Sequence, residues 1–106
     1  MAILVPSTNK QQKRIPTASF KQRIRRTEKF LSSLYGGYTE VDAKGGYTAD
    51  DGNTLIEEPI AKVTAFTTDV VFKAKSNELK RFLKTAGSEW GQEAIGYEYE
   101  GDLYYV

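Results

Sequence analysis

The chain has 106 residues, of which 40% are apolar and 27% are charged, a composition typical of one globular domain. It contains no cysteine and no histidine, which excludes disulfides, thiolate nucleophiles, cysteine-based metal sites and every mechanism that uses an imidazole base. The net charge of +1 conceals an asymmetry, because residues 1–39 carry eight basic side chains and one acidic one, whereas residues 40–106 carry seven and thirteen.

The first 16 residues predict a short strand followed by a basic loop. Ala2–Val5 is an apolar run that a proline ends, as strands tolerate. The polar and basic segment that follows, as far as Pro16, predicts a loop. We therefore treat residues 1–106 as a single domain, in which residues 17–106 form the main α+β body.

The next segment predicts a helix with a basic exposed side. Apolar side chains recur four and three residues apart along one face, and a pair of glycines at positions 36 and 37 provides a stop signal. The spacing predicts a helix over residues 18–35, with Thr17 or Ser19 as its N-cap.

An antiparallel hairpin is predicted around the turn at residues 50–53. The segment before the turn is rich in tyrosine, threonine and glycine, and residues 60–67 after it alternate between two faces. Gly45-Gly46 predicts a bulge. Such a bulge would bring Tyr38 and Tyr47 onto the same face of the sheet.

The last third of the chain predicts a second helix and a C-terminal β-hairpin. Helical spacing of apolar residues extends over residues 76–90 and ends at Gly91. Strands are predicted at 94–99 and 103–106, joined by a Gly101-Asp102 turn. The element order predicts a ferredoxin-like split β-α-β fold of the α+β class, an antiparallel sheet with two helices on one face.

Basic and aromatic side chains are the candidate ligand-binding residues. Basic side chains can hold phosphates, and tyrosines on a sheet face can stack on bases. A solvated helix face and cross-strand aromatic pairs are the structural alternatives. The candidate set is Lys13, Arg14, Arg23, Arg26, Lys29, Tyr38 and Tyr47.

Carboxylates offer the main remaining catalytic chemistry. Two of these side chains could flank a substrate or hold a hard metal ion, but solvated turns and strand edges also explain them. The candidates are Asp50, Asp51, Glu57, Glu58, Glu93, Glu98, Glu100 and Asp102. No calcium-loop spacing and no glycine-rich phosphate loop are present. The sequence therefore predicts no catalytic residues, no metal site and no cofactor, and a protein that is not an enzyme.

Three segments carry a resemblance to a known family: ILVPST near the start, LYGGYTEVDAKGGYTADDGNTLIEEP in the middle and WGQEAIGYEYEGDLYYV at the end. Over nearly its full length the chain resembles a family of small bacterial proteins of unknown function from phages, plasmids and integrative elements. The resemblance implies a source in mobile elements. It assigns no activity and no functional residue.

These observations predict a non-enzymatic binding protein from a mobile element, an antagonist of host immunity that binds a host protein or its anionic nucleotide ligand. One alternative is a nucleic-acid-binding accessory protein that uses the basic N-terminal helix, and another is a carboxylate-dependent enzyme. Unpaired strand edges and the tyrosine-rich C-terminal hairpin predict a homodimer. Because no apolar run approaches the roughly 20 residues of a membrane span, we expect a cytoplasmic protein with no membrane partner.

Overall fold

The computed structural model describes residues 1–106 and contains five strands and three helices. In chain order these are β1 (Ala2–Pro6), α1 (Thr17–Tyr35), β2 (Thr39–Thr48), β3 (Leu55–Thr64), α2 (Asp69–Ala74), α3 (Ser76–Trp90), β4 (Gly96–Tyr99) and β5 (Asp102–Tyr105).

The five strands form one antiparallel sheet in the order β2-β3-β1-β4-β5. The first four strands have the arrangement of a ferredoxin-like fold, in which β1 lies between β3 and β4. The C-terminal hairpin adds β5 at the edge. The predicted fold class is therefore confirmed.

Only one face of the sheet is covered by helices. Side chains alternate between faces along each strand, so Ile3 and Val63, which are paired across β1 and β3, point to the same side. Both are fully buried, and they pack in one core with Leu31 of α1 and Leu79 and Leu83 of α3. No helix packs on the opposite side, which we call the open face.

The beginnings of the helices differ from the sequence prediction. Neither Thr17 nor Ser19 caps α1, because Pro16 occupies the N-cap position and no side chain there makes a capping hydrogen bond. The short helix α2 was not predicted. Its N-cap is Thr68, whose hydroxyl oxygen accepts a hydrogen bond from the Val71 amide.

The predicted bulge at Gly45-Gly46 is wrong. Strands β2 and β3 pair without interruption, and Gly45 lies directly opposite Glu58. Neither glycine has a positive φ, so both adopt ordinary extended backbone. Tyr38 lies just before the start of β2, whereas Tyr47 lies within the strand. No bulge therefore brings the two tyrosines onto one face.

Candidate functional site

A cleft of about 300 Å³ lies on the open face. Leu4 of β1, Ile60 of β3 and Gly96 of β4 line its centre, and all three belong to strands in the middle of the sheet. Tyr47 of β2 and Tyr105 of β5 line its two sides, because their strands are the outermost ones. The cleft is thus apolar at its centre and aromatic at its sides.

A glycine leaves room at the centre of the cleft. A Cβ atom at Gly96 would lie 3.4 Å from Cε1 of Tyr105 and 3.5 Å from Cδ1 of Leu4. Because Gly96 has no side chain, the Tyr105 ring and the Leu4 side chain both lie against the strand. The resulting surface suits a planar heterocycle.

Glu58 lines the cleft and has one carboxylate oxygen without a hydrogen-bond partner. Its Oε2 atom is buried and has no hydrogen-bond partner. Leaving a buried acceptor unpaired costs roughly 1–3 kcal/mol, and more when the group is charged. A ligand that brings a donor or a positive charge to this oxygen would offset that cost.

Arg23 interacts with the charge of Glu58 but makes no hydrogen bond to it. Burial lowers the pKa of Arg23, an effect that the negative charge of Glu58 opposes. The guanidinium nevertheless donates its hydrogen bonds to the backbone carbonyls of Pro6, Thr8 and Trp90. Three of its five N–H donors are therefore bonded to the backbone, and none of these bonds goes to the Glu58 carboxylate.

Tyr47 places a phenol hydroxyl in the same cleft as Glu58. The hydroxyl donates a hydrogen bond to Oε1 of Gln12, at a distance of 2.6 Å. Aromatic faces attract cations, and a carboxylate does so more strongly. The arrangement can therefore bind a planar ring that carries a nearby positive charge, and Glu58 is the group available for proton transfer.

The structure does not bring the seven predicted site residues together. Tyr47 alone among them lines the cleft. Arg23 is 9% exposed and bonded internally, and Arg26 bonds to Glu89 and lies over the ring of Phe82. The other four are placed elsewhere: Lys13 and Arg14 in the exposed loop after β1, Lys29 on the exposed side of α1, and Tyr38 between α1 and β2. Ligand binding by the basic residues stays a prediction.

Most residues of the cleft were not predicted from the sequence. The sequence indicated Glu58 as one of several possible catalytic carboxylates but did not place it in a site. The alternation along β3 contained this information. Glu58 is two residues from Ile60, so both side chains lie on the same face of the sheet, and the buried Ala61 and Val63 lie on the other face. Gly96 and Tyr105 gave no such signal, since their position depends on how β4 and β5 join the sheet.

The structure shows no group of three or more acidic side chains placed to hold a metal ion. None of its helices combines the length and the apolar character that crossing a bilayer requires.

No protein-family model and no curated protein matches the chain, so membership of the mobile-element family stays a prediction. A solved structure does match. It is that of a phage SAM lyase in complex with S-methyl-5'-thioadenosine, and it superposes with a TM-score of 0.60 at 14% sequence identity. The match covers 99% of this chain and 85% of the lyase chain. At this identity the likeness shows a shared fold.

The comparison contradicts the prediction that the protein is not an enzyme. That prediction depended on the absence of histidine and cysteine and of recognisable motifs. The fold that matches nearly the whole chain is the fold of a lyase, and the cleft supplies a carboxylate and a phenol, which are both catalytic groups. The chain is similar to an enzyme in fold.

Proposed function

We propose that this protein binds S-adenosylmethionine (SAM) in the open-face cleft and cleaves it as a lyase. The observation that carries the proposal is the buried, unpaired Oε2 of Glu58, which shares with Tyr47 a cleft whose centre is apolar. The similarity in fold to a phage SAM lyase supports it.

The chemistry of SAM matches the chemistry of the cleft. SAM joins a planar adenine to a sulfonium, whose positive charge is surrounded by carbon. The adenine would lie on the surface formed by Leu4, Gly96 and Tyr105. The sulfonium would lie near the Glu58 carboxylate and the Tyr47 ring, where an opposite charge and an aromatic face both stabilise a cation.

The expected reaction breaks one carbon–sulfur bond. S-methyl-5'-thioadenosine retains the methyl group, the sulfur and the adenosyl group of SAM, so the bond that breaks joins sulfur to the γ-carbon of the amino-acid chain. Its electron pair stays on sulfur, which becomes a neutral thioether. The γ-carbon then either bonds to the carboxylate of the substrate, closing a lactone, or forms an alkene as a β-proton passes to Glu58. Water is not consumed in either case.

The test is release of S-methyl-5'-thioadenosine from SAM by the purified protein, followed by liquid chromatography, with mass spectrometry of the amino-acid product. Glu58→Gln should lower the rate at least about a hundredfold, because it removes the charge and the base together. Glu57→Gln is the matched control, since Glu57 is the adjacent residue on β3 and pairs with Lys44. It should retain the wild-type rate within about twofold. A wild-type protein that neither binds nor cleaves SAM would refute the proposal.

A role against host defence is an extension of the same proposal. A phage protein that removes SAM would deprive host methyltransferases of their methyl donor. This activity needs no host protein as a binding partner.

Self-association is also proposed, and the open face is its site. The outer strand β5 is paired on one side only, and Leu103 and Tyr105, which point to the open face, are 48% and 68% exposed. Val41 on β2 is 49% exposed on the same face. A second copy would bury this apolar surface.

A further inference from the structure

The segment between β1 and α1, residues 7–15, is folded and not an open loop. The amide of Ile15 donates to the carbonyl of Ser7 at 2.9 Å and so closes its base. Nearer the tip, the amide of Asn9 donates to the carbonyl of Lys13 at 2.8 Å. We call this segment the N-terminal strap.

The strap is anchored to the body of the protein next to the cleft. The carbonyl of Thr8 accepts hydrogen bonds from the buried Arg23 and from Nε2 of Gln92, at 2.9 and 3.0 Å. Lys10 packs against the turn after α3, where a Cβ atom at Gly91 would lie 3.0 Å from the Lys10 Cβ. The strap therefore has a fixed position relative to the sheet.

Gln12 at the tip of the strap contacts Tyr47, a residue that lines the cleft. Its φ of 62° lies in the left-handed region that non-glycine residues seldom adopt. Its Oε1 accepts the hydrogen bond from the Tyr47 hydroxyl. The hydroxyl of Tyr47 thus has a defined partner outside the cleft.

We propose that Gln12 is a positioning residue that makes Tyr47 a hydrogen-bond acceptor toward the ligand and thereby favours a cationic ligand over a neutral one. A phenol has a single proton to donate. When Gln12 holds that proton, the lone pairs of the oxygen are left for the cleft. Together with the Glu58 carboxylate they favour a positive charge. The inference depends on the proposed function, because it assigns the discrimination between the sulfonium of SAM and a neutral thioether to a named contact.

Two non-cleavable ligands isolate the charge at the sulfur position. Sinefungin carries a positively charged amine there, and S-adenosylhomocysteine carries a neutral thioether. Titration calorimetry should show that Gln12→Met weakens sinefungin binding about tenfold and changes S-adenosylhomocysteine binding less than twofold. Gln12→Glu retains an acceptor and should keep the preference for sinefungin. An equal loss of both ligands, or a ratio that does not change, would overturn the inference.

A double-mutant cycle shows whether Gln12 acts through Tyr47. Tyr47→Phe removes the hydroxyl, so Gln12→Met should have less than a twofold further effect on sinefungin binding in that background. If the effects of Gln12→Met and Tyr47→Phe on sinefungin affinity simply multiply, Gln12 does not act through Tyr47. That result would overturn the inference and would indicate a general structural role for the strap. A wild-type protein that binds neither ligand would overturn the proposed function as well. Binding by the wild type with no effect of Gln12→Met would overturn this inference alone.

Discussion

Arg23 joins three separate parts of the chain through its side chain. Its guanidinium donates to the carbonyls of Pro6, Thr8 and Trp90 and lies 5.3 Å from the centroid of the Trp90 ring. Helical spacing places this residue off the apolar stripe of α1, which is why the sequence indicated an exposed anion-binding group. The spacing could not show that the end of β1 and the end of α3 supply carbonyls at the same point.

Replacing Arg23 should destabilise the fold. Arg23→Met leaves the carbonyls without their donor, so we expect the free energy of unfolding to fall by about 2–4 kcal/mol. Urea denaturation monitored by circular dichroism measures the change. Arg25→Met is the matched control, because the Arg25 side chain is 60% exposed and its pair with Glu28 should contribute less than about 1 kcal/mol. Equal stability of the two variants would show that the Arg23 contacts do not hold the strap.

At the scale of elements, two helices end in the same way but in different surroundings. Gly36 after α1 and Gly91 after α3 both have a positive φ, 94° and 69°. A Cβ at Gly36 would meet nothing within 4 Å, whereas one at Gly91 would lie within 3.3 Å of three atoms of Lys10. The sequence predicted both helix ends, but not the packing of the strap against the second.

The two glycines therefore make a matched pair. Gly36→Ala should cost about 1–2 kcal/mol for the left-handed backbone alone. Gly91→Ala should cost at least about 1 kcal/mol more, because the strap must also move away. Thermal unfolding of both variants checks the difference. An equal loss would contradict close packing of the strap against the end of α3.

The turn of the β2–β3 hairpin should be sensitive to acid. Hydrogen bonds from the hydroxyl and amide of Thr54 and from the amide of Asn53 lower the pKa of Asp51 from 3.8 to about 2. Because the folded pKa is depressed, the contribution of Asp51 to stability is present above pH 3.8 and is lost as the pH falls through 2. The Thr54 amide chemical shift, followed by NMR, should titrate near pH 2.

Asp51→Asn should abolish that titration, and Asp50→Asn, which changes the exposed neighbouring residue, should leave it in place. A titration near pH 4 in the wild type would contradict the hydrogen bonds of this turn.

The sheet shows where sequence patterns are reliable and where they fail. Alternation along β3 correctly separated Ala61 and Val63 from Ile60, because one face is buried and the other is not. The bulge predicted at Gly45-Gly46 is wrong, because glycines permit a bulge but do not require one. The continuous pairing of β2 with β3 keeps the backbone regular at this point. The cleft was less predictable still, because it is formed by Tyr47, Glu58 and Gly96 on three strands with no fixed spacing.

At the scale of the whole molecule, the open face of the sheet is the proposed functional surface. The helices bury the other side, and the cleft and the exposed apolar residues of β5 share the open face. If a second copy covers this surface, Leu103→Lys should shift the mass measured by light scattering toward that of a monomer, because it places a charge in an apolar contact. Lys80→Glu on the exposed side of α3 is the control and should not change the mass. A wild-type monomer at high protein concentration would contradict self-association.

The absence of histidine and cysteine is not evidence against catalysis as such. That absence removes particular mechanisms and leaves those that use carboxylates and phenols. Two features of the three-dimensional structure favour an enzyme. The fold is similar to that of a phage SAM lyase, and an unpaired Glu58 oxygen lies in a cleft. Neither can be read from residue counts.

The central claim is that the open-face cleft binds the nucleoside. A structure determined from crystals grown with S-methyl-5'-thioadenosine tests this claim most directly. We expect electron density for the nucleoside in the open-face cleft, with the adenine against Gly96 and Tyr105 and the sulfur closer to the Glu58 carboxylate than to any other charged group. The ligand should be absent from crystals of a Gly96→Leu variant, whose side chain fills the cleft. Density for the nucleoside against the helices, or an empty cleft in crystals soaked at millimolar concentration, would contradict the account.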